Sequence, residues 1–164
     1  TGQVLLTRDV VECQTRKRNV INTLSRLLEY GVLPIINEND TVAIEELELE
    51  FGQNDTLAAI VATLVQADLL ILLTDIDGVY TANPRLHPDA ELIPLITQID
   101  DTLLAAAQGP GSKLGTGGMI TKLHAAQLAA EANIPTVVMN GNRPSRLYAL
   151  LEGEPVGTLF DLKQ

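Results

Sequence analysis

The run LLILLTD, residues 69–75, is unbroken in its apolar character and ends in polar residues. A strand of that composition offers no face to water, so it belongs in the centre of a parallel sheet covered by helices on both sides. Helical and strand-like segments alternate around it. Residues 14–30 carry Val20, Leu24, Leu27 and Leu28 on one helical face, with Gly31 as a stop. VLPII (32–36) reads as a buried strand, and EELELEF within 42–52 alternates as an exposed strand of a hairpin or flap. An Asn54-Asp55 capping signal opens a helix of about three turns. Residues 78–91 are turn-rich and predict a loop with a small hairpin; LIPLI (92–96) suits an edge strand. A short helix DDTLLAAAQ follows, then a glycine-rich stretch, a helix to about Asn133, and the strand TVVMN (136–140). A helix with Pro144 at its first position and a last strand VGTLF (156–160) complete the chain. The alternation predicts an α/β fold with a mostly parallel sheet.

Length and composition set limits. The 164 residues fit one domain, with 46% hydrophobic and 20% charged residues, which is ordinary for a globular protein. No apolar run reaches the roughly 18 residues needed to span a bilayer, and residues 1–19 lack the pattern of a signal peptide. Cys13 is alone, so no intrachain disulfide forms and a cytoplasmic setting is expected. A formal charge of −10 and only 3% aromatics argue against nucleic acid as a partner. His87 reads as a loop residue and His124 as a helix-surface residue, with no cluster of metal-ligand spacing.

The stretch GPGSKLGTGGMITKLHAAQLAAEA (109–132) concentrates glycines just ahead of a helix that carries Lys122 in its first turn. Glycine is costly to order, so such a cluster points to positive φ or to close approach of a ligand. A helix N-terminus beside it offers unpaired N–H groups and a partial positive charge, which suit phosphate. A purely structural loop is the competing reading. The dinucleotide fingerprint fails because no strand precedes the first glycine, and the Walker-type loop fails because its G-K-[ST] ending is absent. Polar clusters stand at three strand ends: Asn37–Asp40, Thr74–Gly78 and Asn140–Asn142, with Gln53–Asp55 opening a helix. Singly these suit turns and caps; together they describe a polar crevice beyond the carboxyl ends of the strands. Carboxylates and amides there suit an ammonium group and hydrated Mg²⁺, and the glycine turn with Lys122 suits a transferring phosphate.

LLTDIDGVYTANPR (72–85), PIINENDTVA (34–43), FGQNDTLAAIVA (51–62) and LGTGGMITKLHAAQLA (114–129) together resemble the amino acid kinase family, and within it the glutamate 5-kinase branch. The resemblance runs over nearly the whole chain. It implies a three-layer αβα sandwich and ATP- and Mg²⁺-dependent phosphorylation of the side-chain carboxylate of L-glutamate, the first step of proline biosynthesis. By the same resemblance, Asp40 and Asn54 hold the substrate and Asp55 organises the catalytic charges. Thr74 and Asp75 contact the nucleotide, as do Thr116, Gly117, Gly118, Met119, Ile120, Thr121 and Lys122, with Lys122 neutralising the transferring phosphoryl group. Proline as a feedback inhibitor, a homo-oligomer, and hand-over of the product to glutamyl phosphate reductase are further expectations of the resemblance.

Two departures accompany it. The family's K-x-G-[ST] loop and S-G-A substrate loop do not occur, so residues 1–164 are expected to be the latter part of a kinase domain. Gln53 stands where an acidic residue is common. A glutamate- or proline-binding sensor without catalysis, and another amino acid kinase such as an aspartate kinase, are the alternatives.

Overall fold

The computed structural model describes residues 1–7, 10, 12–39, 41, 53–108 and 118–162. The expected flap strand in 42–52 and the glycine-rich residues 109–117 lie outside these. In chain order the elements are β1 (Gly2–Leu6), α1 (Gln14–Glu29), β2 (Pro34–Glu38), α2 (Gln53–Val65), β3 (Leu70–Thr74), β4 (Leu95–Ile96), α3 (Asp101–Gln108), α4 (Met119–Glu131), β5 (Thr136–Asn140), α5 (Arg146–Leu151) and β6 (Thr158–Phe160).

Local signals explain the helix ends. Gly31 takes φ +67 while its N–H bonds Leu28 O at 2.9 Å and that of Val32 bonds Leu27 O at 2.8 Å, which satisfies carbonyls that the last turn of α1 would leave open. Gln66 and Asn133 take the same left-handed conformation after α2 and α4, reversing the chain into β3 and β5. Two expected starts move. Asn54 and Asp55 lie inside the first turn of α2, which begins at Gln53. Pro144 precedes α5 in a turn closed by Arg146 N to Arg143 O at 3.0 Å, so the first helical residue is Arg146.

β1 and β2 pair in parallel from Gly2↔Pro34 to Leu6↔Glu38. This register draws the second strand two residues beyond the expected VLPII, because Val32 already serves the end of α1. The other sheet has the order β3-β5-β6-β4. β3 and β5 are parallel, as are β4 and β6, whereas β6 runs antiparallel to β5. β4 is an edge strand, as its composition predicts. β3 is not central among the described residues: it closes the other end of this order. Its apolar run still has a physical cause, because both faces are covered up to Leu72, and only Leu73 at the polar end is exposed. Leu70 and Leu72 join one core with Ala59, Ala62, Leu123, Ala126 and Val138. Leu69 and Ile71 pack on the opposite face with Val137, Met139 and the α5 residues Leu147 and Leu150. Helices α2, α3 and α4 therefore form one outer layer and α5 the other, giving the αβα sandwich. Each fully buried Leu or Val of these faces contributes about 2 kcal/mol. The expected small hairpin is present as a Tyr80–Leu92 antiparallel bridge.

The connectivity positions the site. α2 runs directly into β3 and α4 into β5, so each helix lies back along its strand. The N-termini of α2 and α4 thus stand at the carboxyl ends of β3 and β5, where Thr74 and Asn140 are register partners.

Candidate active site

α2 and α4 pack against each other through small residues, with Ala59, Ala62, Ala125, Ala126 and Ala129 in one core. This close approach brings their first turns together. Lys122 Nζ lies 3.0 Å from Asp55 Oδ2 and 3.3 Å from Oδ1. The two side chains are only 10% and 17% exposed, so solvent screens the pair little. Asp55 sits favourably in the first turn of α2, where a negative charge meets the positive end of the helix dipole; Lys122 sits unfavourably in the first turn of α4. The carboxylate supplies what the dipole withholds. The buried Thr121 hydroxyl also hydrogen-bonds Asp55 Oδ2.

A second polar group occupies the ends of β3 and β5. Asp75 accepts a hydrogen bond from the Arg85 guanidinium and one from Thr74 Oγ1 at 3.3 Å. The Arg85 bond, chiefly, holds the Asp75 carboxyl below its ordinary value. Asp77 Oδ1 accepts from Asn140 Nδ2 at 3.0 Å and lies 3.8 Å from Arg146 Nη1, while Asn140 Oδ1 accepts from Asn142 N at 2.9 Å. The turn beneath is anchored by Thr158, whose hydroxyl accepts from Val79 N at 2.8 Å and donates to Ile93 O at 2.6 Å. Gly78 packs so closely on this hydroxyl that a Cβ would stand 2.6 Å from it.

Of the residues the sequence singles out, Asp55, Thr121 and Lys122 are brought into contact, and Thr74 and Asp75 adjoin at the end of β3. Asn54 is exposed in the first turn of α2 and Gly118 is exposed at the start of α4. Met119 and Ile120 pack against the core, which leaves their backbone as the part able to meet a ligand. Asp40, Thr116 and Gly117 lie outside the described residues. Arg85, Arg146 and Thr158 were not foreseen: their partners are ten or more positions away, and no local pattern reveals such pairing.

A family model, the amino acid kinase family, matches residues 1–140. This chain belongs to the amino acid kinase family. Among curated relatives, a protein of Listeria innocua named glutamate 5-kinase is 54% identical over 99% of this chain and 60% of its own length. One of Geobacter sulfurreducens with the same name is 53% identical over 97% of this chain and 42% of its own. The chain thus spans about two fifths to three fifths of these relatives' lengths. Among solved structures, an isopentenyl phosphate kinase matches with a TM-score of 0.59 at 26% identity, over 85% of this chain and 50% of that one. A UMP kinase from Bacillus anthracis matches with a TM-score of 0.59 at 17% identity, over 98% and 58%, a likeness of fold alone. This member of the amino acid kinase family has, among its described residues, no helix long and apolar enough to cross a membrane.

Proposed function

We infer that the protein phosphorylates the side-chain carboxylate of L-glutamate with ATP, yielding L-glutamyl 5-phosphate and ADP, the first step of proline biosynthesis. The observation that carries this reading is the buried Asp55–Lys122 pair where the first turns of α2 and α4 meet, in a chain 54% identical to a protein named glutamate 5-kinase.

The chemistry needs few groups. A glutamate side chain has a pKa of about 4.3, so at neutral pH it is already an ionised nucleophile and no general base is required. A carboxylate oxygen bonds to the γ-phosphorus, the bond from that phosphorus to the bridging oxygen breaks, and the electron pair leaves on ADP. No proton moves. The obstacle is repulsion between two anions, so catalysis rests on positioning and charge neutralisation. Lys122, held by Asp55, is the cation for this task; one well-placed donor contributes roughly 3 kcal/mol by analogy with oxyanion sites. The start of α4 at Gly118 and Met119, with Thr116 and Gly117 before it, takes the phosphates on backbone N–H groups. Thr74 and Asp75 face the nucleotide, and Asp40 and Asn54 hold the amino acid.

Mg²⁺ fits this site in a particular way. Its carboxylate donor is Asp55, a hard oxygen ligand of the kind Mg²⁺ takes; when bound, the ion would neutralise phosphate charge. The acyl phosphate product is prone to hydrolysis, so hand-over to glutamyl phosphate reductase accompanies this reading; inhibition by proline, oligomer formation and a cytoplasmic setting rest on the family resemblance alone. The test is ATP-dependent hydroxamate formation by the full-length protein with glutamate and with aspartate. Preference for glutamate is expected; equal use of aspartate, or no use of glutamate, removes the assignment.

A further inference from the structure

Thr121 belongs to the segment whose resemblance assigns it to the nucleotide, and its side chain is held within the protein. It is fully buried, and its hydroxyl meets two acceptors, Asp55 Oδ2 and Gly118 O, the latter at 2.8 Å. A hydroxyl has one proton to donate, and neither a carboxylate nor a carbonyl can return one. A hydrogen bond to a carboxylate is about twice as strong as a neutral one, so the proton favours Asp55. Gly118 O keeps the Thr121 N–H as a donor, at 3.2 Å. Asp55 Oδ2 therefore receives both the Thr121 hydroxyl and the Lys122 ammonium.

We propose that Thr121 is a positioning residue: its hydroxyl sets the orientation of the Asp55 carboxylate, and through it the place of the Lys122 ammonium, while its N–H holds the same residue to Gly118 O. The proposal rests on the kinase reading above. The terminal torsion of an aspartate is broad, so a carboxylate that loses one of its two donors turns toward the other. Lys122 then moves with it, on a side chain of four rotatable bonds. Gly118 belongs to the phosphate-side segment, so Thr121, by its N–H on one side and its hydroxyl on the other, links the backbone expected to meet phosphate with the cation expected to neutralise it.

The experiment compares Thr121→Val, which keeps shape and loses the hydroxyl, with Thr121→Ser, which keeps the hydroxyl, in the full-length protein. Thr121→Val is expected to lower kcat by roughly tenfold or more, as sub-ångström to ångström misplacement of a catalytic group does, while KM for ATP stays within about threefold. Thr121→Ser is expected to restore kcat to within about threefold of the natural protein. Unchanged kcat in Thr121→Val, a raised KM for ATP with kcat intact, or a folded Thr121→Ser as impaired as Thr121→Val each overturns the proposal. Should Thr121→Val not fold, Thr121→Ala carries the same expectations. A natural protein that turns over no glutamate defeats the kinase reading instead. The hydroxyl–carboxylate link is then decided by a urea double-mutant cycle on Thr121→Val and Asp55→Ala: non-additive effects support it and additive effects overturn it.

Discussion

Lys122 Nζ sits 3.0 Å from Oδ2 of Asp55, a carboxylate 67 positions earlier in the chain. Each residue occupies the first turn of its helix, and the two turns meet because α2 and α4 approach through alanines. The helix dipole favours the aspartate and opposes the lysine. A cation kept in an opposed position, largely out of water, depends on its partner.

Removing one member of this pair strands the other in a poorly hydrated place. Lys122→Met, which keeps most of the apolar stem, is expected to destabilise by about 3 kcal/mol, the lower end for a buried pair. Asp55→Asn should be harmful in the same direction. The double variant should lose less than the sum of the two, since neither charge is then left alone. Urea unfolding of the three variants checks this; single variants that each lose under about 1 kcal/mol would contradict a buried pair.

Asp75 titrates below its ordinary value of 3.8 chiefly because Arg85 donates to it. A carboxyl depressed in the folded state adds stability that is present above the unfolded value and lost as pH falls through the folded one. The window therefore lies at and below that ordinary value. Both side chains are well exposed, 66% and 68%, so the effect on stability is small and salt-sensitive. Arg85→Ala should raise the Asp75 pKa toward its ordinary value, and so should 1 M salt in the natural protein, to a lesser extent. Carboxyl NMR titration reads both, and a pKa indifferent to Arg85 would refute the attribution.

Two glycines with similar backbone angles should respond differently to alanine. Gly157 takes φ +71, and a Cβ there would stand 2.2 Å from Val138 O, across the β5–β6 ladder; Gly31 takes φ +67 with open space around it. Gly31→Ala should cost about 1 kcal/mol for the left-handed conformation alone. Gly157→Ala must also displace backbone in the buried sheet, so a loss above about 3 kcal/mol is expected. Equal melting shifts for the two variants would contradict this packing.

Thr136 begins β5 fully buried, and its hydroxyl has no hydrogen-bond partner among the described residues. Replacing such a group by an apolar one of the same shape removes a desolvation cost of about 1–3 kcal/mol. Thr136→Val should be neutral or stabilising by roughly 1 kcal/mol. A clear loss in a thermal melt would show that the hydroxyl does have a partner.

The alternation of strands and helices, the stop at Gly31, the edge position of LIPLI and the polar residues at the strand ends were all legible in the order of the residues. These depend on hydrophobic periodicity, on turn chemistry and on hydrogen bonds between near neighbours, all of which act within a few residues. The same order marked Asp55, Thr121 and Lys122 as separate members of two motifs. Long-range packing was needed to show that Gly2–Leu6 finds a partner in Pro34–Glu38, that β6 runs against β5, that β3 closes one end of its sheet order, and that Arg85 rests on Asp75. It alone turned the Thr121 hydroxyl toward Asp55. Those outcomes depend on which distant surfaces fit together, and the small residues that let α2 and α4 approach carry no local sign of which charge each helix will present to the other.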